Sequence, residues 1–331
     1  HYRHNPQKLE TRSPNVFLAA LAVAVMAWWI GQMTGRWWLA ALVAMTFTTS
    51  PEMFVRSVYG GYTAINNFLL LQILLLAEVS HYRRDRFTRA SFLLVGILAA
   101  LANQKLVLMV AALVVWEIIS RFAKRDATDL RGARVLGKSW RKSLGEIAAA
   151  MLHPAAIGFV LGTAAFWIYA VMISPRMFYL EHIRHHLVDR VIHDNPLGYG
   201  NYPSVLGLWA ELWRHTGYVL LPLGIVALAL LCWPRKGWRQ GAGFGWRGTS
   251  GLWAIWTLLT AVAFSLIDWR QTKHLMPLLI PLHLAPARCT TLGRAFLIAV
   301  SVLLVGLLLW NLDTLRMLSI DFSGFKVTPA W

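Results

Sequence analysis

The chain has 331 residues, of which 57% are hydrophobic and only 14% charged, and its mean hydropathy is +0.51. A soluble domain of this length needs a far more charged surface, so the composition excludes an ordinary water-soluble fold and points to lipid as the solvent. The formal charge of +17 does not signal nucleic acid, because the basic residues sit in short clusters between apolar runs rather than on one face. It fits the loops of a multi-pass protein lying against anionic membrane lipids.

The expected fold is all-α: a polytopic transmembrane helical bundle of about ten spans with one larger external loop. His1–Arg12 is polar, carries no initiator Met or signal-peptide pattern, and reads as a start cut into a longer polypeptide. The apolar segments then follow as Asn15–Ile30, Trp37–Thr48, Thr63–Val79, Ala90–Leu101, Leu106–Ser120, Ile147–Ile173, Thr216–Trp233, Gly251–Ile267, Leu275–Ala287 and Ala295–Trp310. Several are shorter than the roughly 20 residues a crossing needs; Trp, Tyr and Arg at their ends extend them by snorkelling. The fourth and fifth are separated only by a tight polar turn at Asn103–Lys105. The ninth contains Pro277, Pro281 and Pro286, and should be kinked, broken or partly re-entrant.

Residues 1–310 thus form the transmembrane domain and 311–331 an external C-terminal tail. The dense Lys/Arg clusters lie in alternate loops: Arg83–Arg89, Arg121–Lys142 and Arg235–Arg247. The positive-inside rule makes that side cytoplasmic and puts both chain ends outside. The external loops are Ser50–Tyr62, Ser174–His215, Asp268–His274 and the tail, and Ser174–His215 is by far the longest. Asp126–Gly145 reads as a basic cytoplasmic linker, helical and lying on the membrane surface. Cys232 and Cys289 have no partner at metal-ligand spacing and read as bystanders.

Four features bear on chemistry. Gly243, Gly245 and Gly248 match a Gly-x-Gly-x-x-Gly pattern, but no strand precedes them, so a turn is expected rather than a nucleotide site. The external segment Glu181–Asp194 reads EHIRHHLVDRVIHD. On a helix, His182, His186, Asp189 and His193 share one face and could bind Zn²⁺ or a similar divalent metal. Leu180, Ile183, Leu187 and Val191 have the same period, which equally suits an interfacial helix with its histidines toward water. Arg184 and Arg190 in this segment could meet phosphate. Ahead of the ninth span, Asp268, Arg270, Lys273 and His274 place cations above a proline-broken helix, suited either to a lipid phosphate or to simple interfacial anchoring. Within the spans, His153 and His283 are the ionisable candidates, with a neutral, hydrogen-bonded state as the alternative.

The order of these features resembles a known family. The Ser50–Asn67 stretch SPEMFVRSVYGGYTAINN, after two spans, looks like the second external loop of GT-C glycosyltransferases, and Arg270–Arg288, RQTKHLMPLLIPLHLAPAR, is similar to a late basic, proline-containing helix of their aminoarabinose-transferase and protein O-mannosyltransferase group. The resemblance implies transfer of a sugar from a polyprenyl-phosphate carrier to an extracytoplasmic lipid or glycan acceptor, with Ser174–His215 as the substrate-covering loop. It implies an inverting displacement in which a carboxylate deprotonates the acceptor and the lipid phosphate departs as a stable anion. Glu52 is the available carboxylate here. Arg270, Lys273 and His274 would clamp the phosphate, helped by Arg184 and Arg190. Relatives carry their main acidic residue in a first external loop, which would lie upstream of His1, and often another near Tyr62–Asn66, where this chain has Asn66 and Asn67. A transporter or lipid flippase would share the spans and the broken helix, but calls for intramembrane acids and an internal repeat. A non-catalytic membrane assembly subunit calls for no organised external pocket. The Trp-, Arg- and Ala-rich usage and compact loops suggest a bacterial inner membrane.

Overall fold

The structure, a computed structural model, describes residues 7–51, 53, 63–82, 85–103, 106–129, 139–180, 183–184, 204–233, 244–266 and 275–323. Among them there is no strand. The helices in chain order are α1 (Gln7–Thr34), α2 (Trp37–Thr49), α3 (Thr63–Tyr82), α4 (Arg86–Ala102), α5 (Val107–Asp129), α6 (Ser139–Met151), α7 (Pro154–Ile173), α8 (Pro175–Phe178), α9 (Val205–His215), α10 (Leu220–Cys232), α11 (Thr249–Leu266), α12 (Leu279–Cys289) and α13 (Arg294–Ser323). Within them, Pro14–Thr34, Pro154–Ile173, Thr249–Leu266 and Arg294–Met317 are long and apolar enough to cross a bilayer, and α2, α3 and α10 contain shorter apolar stretches. The long apolar helices leave much of their apolar surface open. On α7, Val160, Ile168, Met172 and Ile173 are exposed, and on α13 so are Ile298, Val302 and Leu309. Polar side chains, meanwhile, are buried: Asn67, His283, Arg288 and Asn311 are each 2% exposed or less. The core itself is mainly apolar, and the open apolar faces of the long helices suit lipid as the surrounding phase.

The chain divides into two compact units, the first comprising 1–71, 186–227 and 261–331 and the second 72–185 and 228–260. In the first unit, α1 and α2 form a tight hairpin. Gly35, at φ +68, closes α1 with its N–H on Gly31 O, and the Trp37 ring lies where a side chain at residue 31 would be. α2 packs on α13, where Asn311 donates from Nδ2 to Thr46 O at 3.0 Å. Against α1, α2 and α13 lies α12, between the 3₁₀ turns Met276–Leu278 and Thr290–Leu292. Every residue of α12 is buried.

An interruption is expected at the prolines, but the backbone is not broken there. Leu278, Cys289 and Thr290 are all in the right-handed helical conformation, so the two 3₁₀ turns join α12 in one helical run from Met276 to Leu292. Pro281 is accommodated in the first turn, where its missing N–H has no intrahelical role, whereas Pro286 removes an interior hydrogen bond. Arg288, expected in a cytoplasmic loop, instead belongs to this buried helix.

In the second unit, α4 and α7 run parallel along a seam of small residues. Side chains added at Gly96, Gly158 or Gly162 would be driven into Ala155 O, Leu93 O and Ile97 O respectively. Removing Cβ atoms lets the two backbones touch, as in small-xxx-small pairs of membrane helices. The structure corrects one boundary here: Ile147–Ile173 is not one helix. It breaks at His153, whose ψ of 136° is extended, and Pro154 opens α7 at its first position. A proline constrains the residue before it away from helix, and His153 Nδ1 caps the new start by accepting from Ala155 N at 3.2 Å. The amphipathic α6 precedes this break. Likewise, helix α13 continues from the tenth apolar run through Asn311 to Ser323, into the segment read as a tail.

Candidate functional site

Of the residues expected to act in catalysis, phosphate binding or metal binding, Arg184 alone lies among those described. It is exposed, in a helical turn at 183–184 that follows the short α8. Glu52, Arg270, Lys273, His274, Arg190 and the metal-binding set His182, His186, Asp189 and His193 all lie outside the described residues. Among the described residues no group of three His, Cys, Asp or Glu side chains could hold a metal ion.

The described polar groups gather in two places, one in each unit. In the first unit the α1–α2 turn meets the end of α12. Arg36 Nη1 donates to Thr290 O at 3.3 Å, and Arg288 Nε donates to Met33 Sδ at 2.9 Å. Higher on α12, His283 is completely buried. Its Nδ1 lies 2.7 Å from Leu279 O, one turn back, so the proton resides on Nδ1 and Nε2 keeps its lone pair. Nε2 has no hydrogen-bond partner, and the ring stands edge-on to Phe47 at 5.3 Å. This is a neutral histidine closed off from water. It is hydrogen-bonded, within its own helix rather than to a neighbouring one.

In the second unit, the middle of α5, the second half of α6 and the turn before α11 converge. Arg121 forms ion pairs with Glu117 at 3.0 Å and with Glu146 of α6 at 3.1 Å. Burial opposes the guanidinium charge, but Glu146 and Glu117 outweigh it and hold Arg121 protonated above its ordinary range. Trp116 Nε1 donates to Gly248 O at 2.9 Å, and Thr249 Oγ1 donates to Glu78. The glycine pattern is a turn, as expected. Gly245, at φ +74, donates to Leu231 O at 2.8 Å, and no strand precedes it among the described residues. These bonds tie α5 to α6 and to the turn before α11, and α3 to the start of α11.

Glu78 was not among the sequence candidates. Its position near the end of an apolar run, with Thr249 ahead of another, is the pattern that could have flagged it. No family model, curated protein or solved structure matches this chain.

Proposed function

We propose that this chain is a multi-pass membrane glycosyltransferase of GT-C type, transferring a sugar from a polyprenyl-phosphate carrier to an extracytoplasmic lipid or glycan acceptor. The observation that carries the proposal is the buried, proline-containing α12. It follows directly after the cationic run Arg270–His274, in the order that the sequence resemblance requires. Cations preceding a buried helix of this kind suit the membrane surface, where a lipid phosphate departs. Arg270, Lys273 and His274 then form the clamp, with Arg184 and Arg190 contributed by the external loop. Glu52 is the candidate base. A divalent metal on His182, His186, Asp189 and His193 is a separate possibility that chelation tests.

The ten-span threading belongs to the same proposal, and helix-end contacts within each unit support it. In the first unit the end of α1 meets the end of α12, and the end of α2 meets α13 at Asn311, just past the tenth apolar run. In the second, the end of α3 meets the start of α11, and α4 and α7 begin together. Strict alternation puts each of these pairs on one side of the membrane.

Expressed from its native gene in membrane vesicles, the protein should consume radiolabelled polyprenyl-phosphate sugar. Arg270→Ala with Lys273→Ala should weaken lipid-phosphate binding, and Glu52→Ala should abolish turnover if Glu52 is the base. Absence of turnover and of binding across several donor sugars would overturn the proposal and favour a transporter or an assembly subunit.

A further inference from the structure

Helix α9 has two apolar faces, and only one of them is packed. Leu208 and Leu212 are fully buried, and Trp209 Nε1 donates to Ser265 Oγ at 2.9 Å. Away from them, Leu206 is 81% exposed and Trp213 49%, with exposed Ala210 between. Positions 206, 210 and 213 form one helical stripe. The turn that follows carries Tyr218, also half exposed.

That turn is held in an unusual shape. Tyr218 has φ +59, a conformation rare for a bulky side chain. Its carbonyl accepts Trp213 Nε1–H at 2.7 Å, and its ring packs edge-on against Trp213 at 5.8 Å and Trp310 at 6.4 Å. The indole N–H of Trp213 is thus satisfied while the rings of Trp213 and Tyr218 remain open.

An exposed apolar stripe on a fixed helix needs an apolar phase against it. The fastenings of α9 identify which one. Ser265 lies in the last turn of Thr249–Leu266, and Trp310 lies within Arg294–Met317; both segments are long and apolar enough to cross a membrane. Helix α9 and its following turn are therefore pinned to two candidate spans, at the last turn of one and within the C-terminal third of the other. Trp and Tyr characteristically sit between water and hydrocarbon. We infer that α9 and Tyr218 form a membrane-surface element whose Leu206–Ala210–Trp213 stripe enters the headgroup–acyl boundary of the bilayer. The partner is the phospholipid surface itself. The inference does not depend on sugar transfer, and it makes the C-terminal part of the long external loop a fixed anchor.

The test uses the whole chain in phosphatidylethanolamine–phosphatidylglycerol vesicles, with Cys232 and Cys289 replaced by Ala. A nitroxide is placed at Leu206→Cys or Ala210→Cys, which leaves the Trp213–Tyr218 clasp intact. Power saturation should show oxygen collisions exceeding those with a water-soluble nickel chelate at both sites. Spin-labelled lipids should calibrate a depth of about 5–10 Å. Nickel dominating at both sites would place the stripe in water and overturn the inference. Weak collision with both reagents would mean that protein covers the stripe, which overturns it equally.

Discussion

The side chain of Asn311 shows how one buried polar group fixes two helices. The last carbonyls of α2 have no partner in their own helix, and Thr46 O receives the Asn311 Nδ2–H at 3.0 Å, with Thr49 Oγ1 at 3.4 Å. Replacing Asn311 with Leu keeps the volume but strands a buried carbonyl. A loss of about 1–3 kcal/mol is expected, read as a lower unfolding midpoint in detergent; an unchanged midpoint would show that the bond carries no stability. The cysteines make a second residue-scale prediction. Cys232 and Cys289 are 3% and 2% exposed, with sulfurs facing Ser250 O and Ala227 O. A maleimide should leave both unmodified in the native protein and label both after unfolding in SDS, whereas rapid native labelling would contradict their burial. The sequence marked His283 as a buried ionisable group from its place in an apolar run. It did not mark Asn311 or Glu78, because their partners, Thr46 and Thr249, lie far away in the chain and hydropathy carries no pairing information.

Among whole helices, the parallel α4–α7 pair makes the sharpest claim. At Gly158 an added methyl meets the Leu93 backbone carbonyl, and at Gly96 it meets Ala155 O; neither is a flexible side-chain end that can swing aside. Gly158→Ala and Gly96→Ala should each destabilise by about 1–3 kcal/mol through overpacking. Gly306 in α13 has nothing within 4 Å of such a methyl, so Gly306→Ala should be neutral or slightly stabilising. Equal effects at the three positions, measured by thermal denaturation in one detergent, would remove the seam from the account. The small residues were present in the sequence at helical spacing, but a seam requires two helices, and nothing in the chain says that α4 meets α7. Proline gave an uneven signal. It suggested a break in the ninth apolar run, yet the helical backbone runs through Pro281 and Pro286, while its effect at Pro154 was masked by the hydrophobicity running continuously through Ile147–Ile173.

For the whole molecule, the question is which way each helix points through the bilayer. Composition alone made the chain a helical membrane protein, and the exposed apolar faces of α7 and α13 agree; the direction of each crossing rests on charge counting. The second unit provides a test. Its α4 and α7 begin side by side, as the Phe92–His153 ring pair at 4.7 Å shows, so both must start from the same face of the membrane. In the proposed threading, α5 is the return path between these two parallel neighbours. Basic residues cluster before α4 and around the end of α5, and on that threading the positive-inside rule assigns their face to the cytoplasm. Arg86, exposed in the first turn of α4, and Arg176, exposed just beyond α7, should then lie on opposite sides. In right-side-out vesicles an impermeant maleimide should label Arg176→Cys and spare Arg86→Cys, and inverted vesicles should reverse the result. Labelling of both from one side would mean that α7 does not cross. Reversal of the pattern in both preparations would keep the helices and invert the protein, moving Arg184 and the rest of the proposed phosphate clamp to the cytoplasmic face.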